Sequence, residues 1–120
     1  MNLIGARLTH VEPGMVEITL PFRSDLTQQD GYIHAGIVTT IADSACGYAA
    51  FSLMPAGSRV LSVEFKVNLL RPGRGDFLIA RASVLKSGRT LSVVRADVFA
   101  GSDAKRELVA AMQATMMCLV

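Results

Sequence analysis

Apolar and polar positions alternate in part over Leu3 to Val11 and again over Met15 to Phe22. Glu12-Pro13-Gly14 lies between the two runs, and a Pro-Gly pair favours a turn, so the pattern predicts a β-hairpin. Ser24 to Gly31 is polar. From Ala35 to Leu53 apolar residues occupy nearly every helical face, with Pro55 and Gly57 closing the segment, which predicts a buried central helix. Val60 to Leu70 alternates cleanly, placing Leu61, Val63, Phe65, Val67 and Leu69 on one face and Ser62, Glu64, Lys66 and Asn68 on the other. Arg71-Pro72-Gly73-Arg74-Gly75 breaks that strand. Phe77 to Leu85 and Leu91 to Phe99 form a further hairpin about Ser87-Gly88, and Gly101-Ser102-Asp103 makes the next turn. Lys105 to Leu119 contains good helix formers and its periodicity is ambiguous, but the evenly spaced hairpins before it favour a strand. The expected architecture is α+β, one long helix against an antiparallel sheet of about six strands, in a single domain over residues 1–120.

Composition adds an expectation about assembly. Apolar residues make up 51% of the 120 and charged residues 18%, more apolar surface than a monomer this small can bury, so a subunit interface is expected. The net charge is +2, yet the twelve Lys and Arg are scattered and Trp is absent, which argues against nucleic acid as a partner. Cys46 and Cys118 sit in apolar surroundings, as free thiols of a reducing cytoplasm do. The first residues lack the pattern of a signal peptide, and Thr39, Thr40, Asp43, Ser44, Gly47 and Ser52 interrupt the one stretch long enough to suggest a membrane span. A cytoplasmic location without membrane attachment is the expectation.

Candidate chemistry centres on Asp43, the only Asp, Glu, Lys, Arg or His between Ala35 and Ser58. A carboxylate on an apolar helix needs a partner, because desolvating it costs several kcal/mol. One reading is a structural aspartate bonded to a neighbouring backbone or hydroxyl group. The other is catalytic. Thr39, Thr40, Cys46 and Gly47 lie three or four positions away, forming a small, partly polar stripe against which a ligand or a second helix fits. Before the helix, Gln28-Gln29-Asp30-Gly31-Tyr32-Ile33-His34-Ala35-Gly36 offers amides, a glycine turn and small residues at a helix start, whose free N–H groups attract an anion or a developing oxyanion. Ala35 and Asp43 are separated by roughly 12 Å at about 1.5 Å per residue. One carbonyl cannot reach both on one helix, so the expected site joins Ala35 of one subunit to Asp43 of another across a two-fold axis. Metal binding is not expected, since His10 and His34 are the only histidines and no ligand spacing is present; Cys46 has no histidine or cation to activate it.

Gly31-x-x-His34-Ala35-Gly36, with Asp43 nine positions after the histidine, resembles the hotdog-fold thioesterases of the phenylacetate-pathway type. The resemblance covers nearly the whole chain, including Leu61-Ser62-Val63-Glu64-Phe65, Arg71-Pro72 and Lys86-Ser87-Gly88-Arg89. It implies a helix wrapped by a curved antiparallel sheet, dimers that often pair into tetramers, and cleavage of acyl-CoA thioesters without metal or bound cofactor. It further implies that Asp43 is nucleophile or general base and that the Ala35 N–H polarises the carbonyl; Gly36, next along the helix start, is expected to support that donor. Gln28 matches an Asn or Gln that orients carbonyl or water, and Ser62 a polar residue near the acid. Ala35 replaces the usual glycine, narrowing the approach by a methyl group, and Gly47 stands where some relatives carry a hydroxyl. His34 reads as a structural residue at the helix start, bordering the substrate but not acting as a base. Arg71, Arg74, Lys86 and Arg89 lie on loops from which they can pair with CoA phosphates. The acyl group is left open, and so is the choice between direct attack and water activation. A non-catalytic acyl-CoA-binding module is the alternative; a dehydratase acting on acyl carrier protein would want a different pairing of His and acid.

Overall fold

A polar stretch gives way at His34 to one 17-residue helix, α1 (Ala35–Phe51). Its inward residues, Val38, Ile41, Ala42, Ala45, Cys46, Ala49 and Ala50, are buried. It ends two residues earlier than the apolar run suggests. Ser52 donates its hydroxyl to the Ala49 carbonyl at 2.7 Å and accepts the Gly14 N–H at 2.8 Å, which ties the end of the helix to the first hairpin turn.

The computed structural model describes all residues 1–120. The strands are β1 (Arg7–Glu12), β2 (Met15–Pro21), β3 (Arg59–Leu69), β4 (Phe77–Ser87), β5 (Leu91–Gly101) and β6 (Arg106–Leu119). The first predicted strand is shorter than expected, because Asn2–Ile4 is a 3-10 turn ended by Gly5 at φ 82°. The last segment is the strand that the preceding hairpins suggested, paired on both sides. All six strands form one antiparallel sheet in the order β1-β2-β4-β5-β6-β3, so β1 and β3 are its edges.

The sheet curves around the helix. Bulges interrupt the β1–β2, β3–β6, β4–β5 and β5–β6 ladders, and each bulge adds local bend and twist. Small residues line the concave side: Ala80 and Ala82 on β4, Ala96 and Ala100 on β5, Ala110 and Ala114 on β6 are all buried. Alanines on the buried side of the helix meet them, and small side chains on both layers favour a close approach. No helix is long and apolar enough to cross a membrane.

One bulge corrects the sequence reading of β3. Strict alternation puts Ser62 opposite Phe65, Val67 and Leu69, but the register shifts between Ser62 and Glu64, with Val63 as the extra residue. Ser62 then pairs with Met116, Phe65 with Ala114 and Val67 with Met112, and those three β6 partners are all buried on the helix side. Ser62 therefore shares the helix-facing side with Phe65, Val67 and Leu69, and Leu61 is on the other side.

Candidate active site

Asp43 is half-buried on the side of α1 nearest edge strand β3. The Ser62 hydroxyl donates to its Oδ1 at 2.8 Å, and Met116 Sδ lies 3.3 Å from the same hydroxyl. The bulge at Val63 makes this contact possible. One carboxylate oxygen is thus held by a neutral donor, and no cation pairs with Asp43. Thr39 and Thr40, one turn earlier, donate their hydroxyls back to the Ala35 and Gly36 carbonyls at 2.8 and 2.7 Å. The polar atoms of the stripe are satisfied within the helix, which leaves a surface that can pack closely. Cys46 is buried, and its thiol is pushed up to about 12 by burial and then by the negative charge of Asp43. A thiol so placed is not a nucleophile.

The helix start is pinned from three sides. Ile33 N–H donates to Gly73 O at 2.9 Å, His34 N–H to Leu26 O at 2.9 Å, and Gln28 N–H to Tyr32 O at 2.8 Å. His34 is the cap: its Nδ1 accepts the Gly36 N–H at 2.8 Å. Glycine at position 36 suits this, since an added Cβ would lie 3.1 Å from that nitrogen. The Ile37 and Val38 N–H groups go to the His34 carbonyl. Of the first-turn amides only Ala35 N–H has no acceptor. Gly36, expected to assist as a second donor, instead spends its N–H on His34. Gln28 turns its Oε1 to the Asp30 and Tyr32 N–H groups, which leaves its side-chain NH2 free.

Gln28 and Ala35 line one cavity of about 370 Å³, whose other walls include Ile33, Val38, Leu69, Leu70 and Val109. Arg71 borders it and Arg74 borders the neighbouring cavity, with Pro72 common to both. Lys86 and Arg89 lie apart from them. They sit at the β4–β5 hairpin, while Arg71 and Arg74 flank the opposite end of β4, an 11-residue strand. One protomer cannot offer all four cations to one ligand. Asp43 and Ala35 remain two helical turns apart, as the spacing required. Composition could not have revealed the Val63 bulge or the His34 cap, because both depend on register and rotamer.

A single helix wrapped by a six-stranded antiparallel sheet, with a carboxylate at mid-helix and a free amide at its start, defines a hotdog-fold protein. The chain belongs to the thioesterase superfamily, whose family model matches residues 30–107, and thioester hydrolysis is the activity of that class. A thioesterase family protein from Silicibacter pomeroyi is 51% identical with a TM-score of 0.98, covering 100% of this chain and 88% of that one. A Bacillus halodurans protein solved with CoA is 28% identical with a TM-score of 0.80, covering 86% of this chain and 66% of that one. Human acyl-coenzyme A thioesterase 13 is 26% identical over 92 residues, 76% of this chain and 65% of that protein.

Proposed function

We propose that the protein hydrolyses acyl-CoA thioesters at sites shared between two protomers, with Asp43 as the working carboxylate. The observation that carries this reading is the pairing of a Ser62-held Asp43 on the open side of α1 with the one unpaired amide, Ala35 N–H, at the start of that helix. The thioester carbonyl accepts from Ala35 N–H and the Gln28 amide, where the helix dipole also favours the developing oxyanion. Asp43 of the partner subunit then takes a proton from a water that attacks the carbonyl carbon, or attacks that carbon itself to give a mixed anhydride that water afterwards cleaves to the free acid. The tetrahedral adduct collapses with loss of CoA thiolate, a leaving group good enough to need no strong acid. His34 holds the helix start in shape and does not touch the proton being moved.

Antiparallel helices bring Asp43 beside Ala35 of the partner subunit only with the two-fold axis near Thr39. Thr39 and Thr40 suit that place because their hydroxyls are already bonded to their own helix. Edge strand β3 supports the same arrangement, with Phe65 42% and Leu69 53% exposed although both face the helix side. A dimer across this edge, able to pair again as a dimer of dimers, covers them. The CoA in the Bacillus halodurans relative and the name of the human one support a CoA ester as substrate. Arg71 with Arg74, or Lys86 with Arg89, supplies cations for its phosphates; charge reversal at each pair identifies the one whose loss raises KM.

The test is release of free thiol from aryl, short and medium aliphatic acyl-CoAs by the wild type and by Asp43→Ala. The expected result is turnover by the wild type and its loss in a folded variant. Binding of CoA esters with no thiol released would make this a non-catalytic acyl-CoA-binding module. Full turnover by folded Asp43→Ala would move the catalytic role elsewhere.

A further inference from the structure

We infer that Met116 is a positioning residue of the reaction, whose thioether sulfur is the second acceptor for the Ser62 hydroxyl and takes over that hydrogen bond when Asp43 loses its charge. The inference rests on the thioesterase reading in which Asp43 is the working carboxylate. A serine hydroxyl carries one proton and donates fully to one acceptor at a time. Two acceptors face Ser62 Oγ: Asp43 Oδ1 at 2.8 Å and Met116 Sδ at 3.3 Å. While Asp43 is ionised the carboxylate holds the proton, since a bond to a charged oxygen is stronger than one to a thioether.

The fold keeps the sulfur in place. Met116 is fully buried on β6, directly opposite Ser62 in the β3–β6 ladder, and the bulge at Val63 puts Ser62 on the same side as Phe65 and Val67. Ser62 therefore has a carboxylate on the helix and a thioether on the neighbouring strand, both fixed by the packing of those elements. Volume alone does not require methionine at 116. Leucine or isoleucine would fill nearly the same space, and isoleucine suits a strand better. What methionine adds is an acceptor.

Both routes open to Asp43 end its charge. As general base it gains a proton from water; as nucleophile it becomes one side of an anhydride. In either state it is a weaker acceptor than the carboxylate was. In the first, a new Asp43 O–H directed at Ser62 also needs an acceptor of its own. Rotation about the Ser62 Cβ–Oγ bond meets both conditions: the O–H turns to Met116 Sδ, and a lone pair of Oγ faces Asp43. The proton stays on Ser62 throughout, and only its direction changes. Ser62 thus steadies Asp43 before and after the charge is lost, and the surroundings need no larger rearrangement at that step.

The test is a double-mutant cycle on thiol release. Met116→Leu and Met116→Ile are each made in the wild type and in Ser62→Ala, and Tm is measured for every variant. The two substitutions remove the sulfur with different shapes, so either one that folds decides the matter. In the wild type each should lower kcat about fivefold, the scale of one neutral hydrogen bond, and leave KM within about twofold. In Ser62→Ala the same substitutions should lower kcat no further, because the sulfur acts only through the hydroxyl. An equal fall in both backgrounds, or an unchanged kcat once the sulfur is gone, would overturn the inference and make Met116 a packing residue. A wild type that releases no thiol from any ester, or full turnover by folded Asp43→Ala, would overturn the thioesterase reading itself and this one with it.

Discussion

At the scale of single residues, Asp43 and Ser62 form the hydrogen-bonded pair on which the proposed reaction depends. Asp43→Asn keeps the shape and removes the charge, and a general base or nucleophile lost in this way costs at least about a hundredfold in kcat. Ser62→Ala removes one hydrogen bond to the carboxylate and should lower kcat/KM by roughly tenfold, in line with the value of hydrogen bonds to charged groups. Thiol-release assays on both variants measure the order of the two effects. Cys46 makes a separate prediction. Because burial holds its thiol up to about 12, the thiolate is scarce at neutral pH. Iodoacetamide at pH 8 should leave Cys46 unmodified in the folded protein and alkylate it after denaturation, as peptide mass spectrometry would report.

At the scale of elements, the start of α1 is a built structure, with His34 as its cap and Gly36 shaped to admit the imidazole. His34→Ala frees the Gly36 N–H and should cost about 1 kcal/mol of stability, the usual value of a helix cap, read as a lower Tm. A larger loss is expected in the loop that leads past the helix start into β4. Gly75 has φ 125°, and a Cβ there would lie 2.6 Å from Gly101 Cα. The obstacle is Gly101 backbone, which cannot swing aside as a side chain would, so Gly75→Ala should cost more than about 2 kcal/mol in denaturant unfolding. The element boundaries were largely legible in the sequence, since alternation and Pro-Gly punctuation are local. The face of Ser62 was not, because one inserted residue, Val63, reverses the alternation and leaves no mark in composition.

The whole molecule decides whether the site is complete. If the carbonyl sits between Ala35 of one subunit and Asp43 of the other, two inactive variants can complement each other. Ala35→Pro removes the backbone donor at the first helical position, where proline is tolerated and where His34 at φ −59°, ψ 137° already suits a following proline. Mixed with Asp43→Asn after unfolding and refolding together, half the dimers are hybrids carrying one intact site. About a quarter of wild-type activity should return. Sites contained in single protomers would give none.

The sequence by itself determined the central helix, the strand that follows it, the lone carboxylate and the His-Ala-Gly start, because each is written in local periodicity or in the identity of one residue. It also set Ala35 and Asp43 roughly 12 Å apart along one helix, which is why the proposed site draws on two helices. Only the tertiary structure decided that Ser62 faces Asp43, that Gly36 gives its N–H to His34, and that the two basic pairs lie at opposite ends of the sheet. Those outcomes depend on strand register, side-chain rotamer and the path of the folded chain, which arise from packing between segments far apart in sequence.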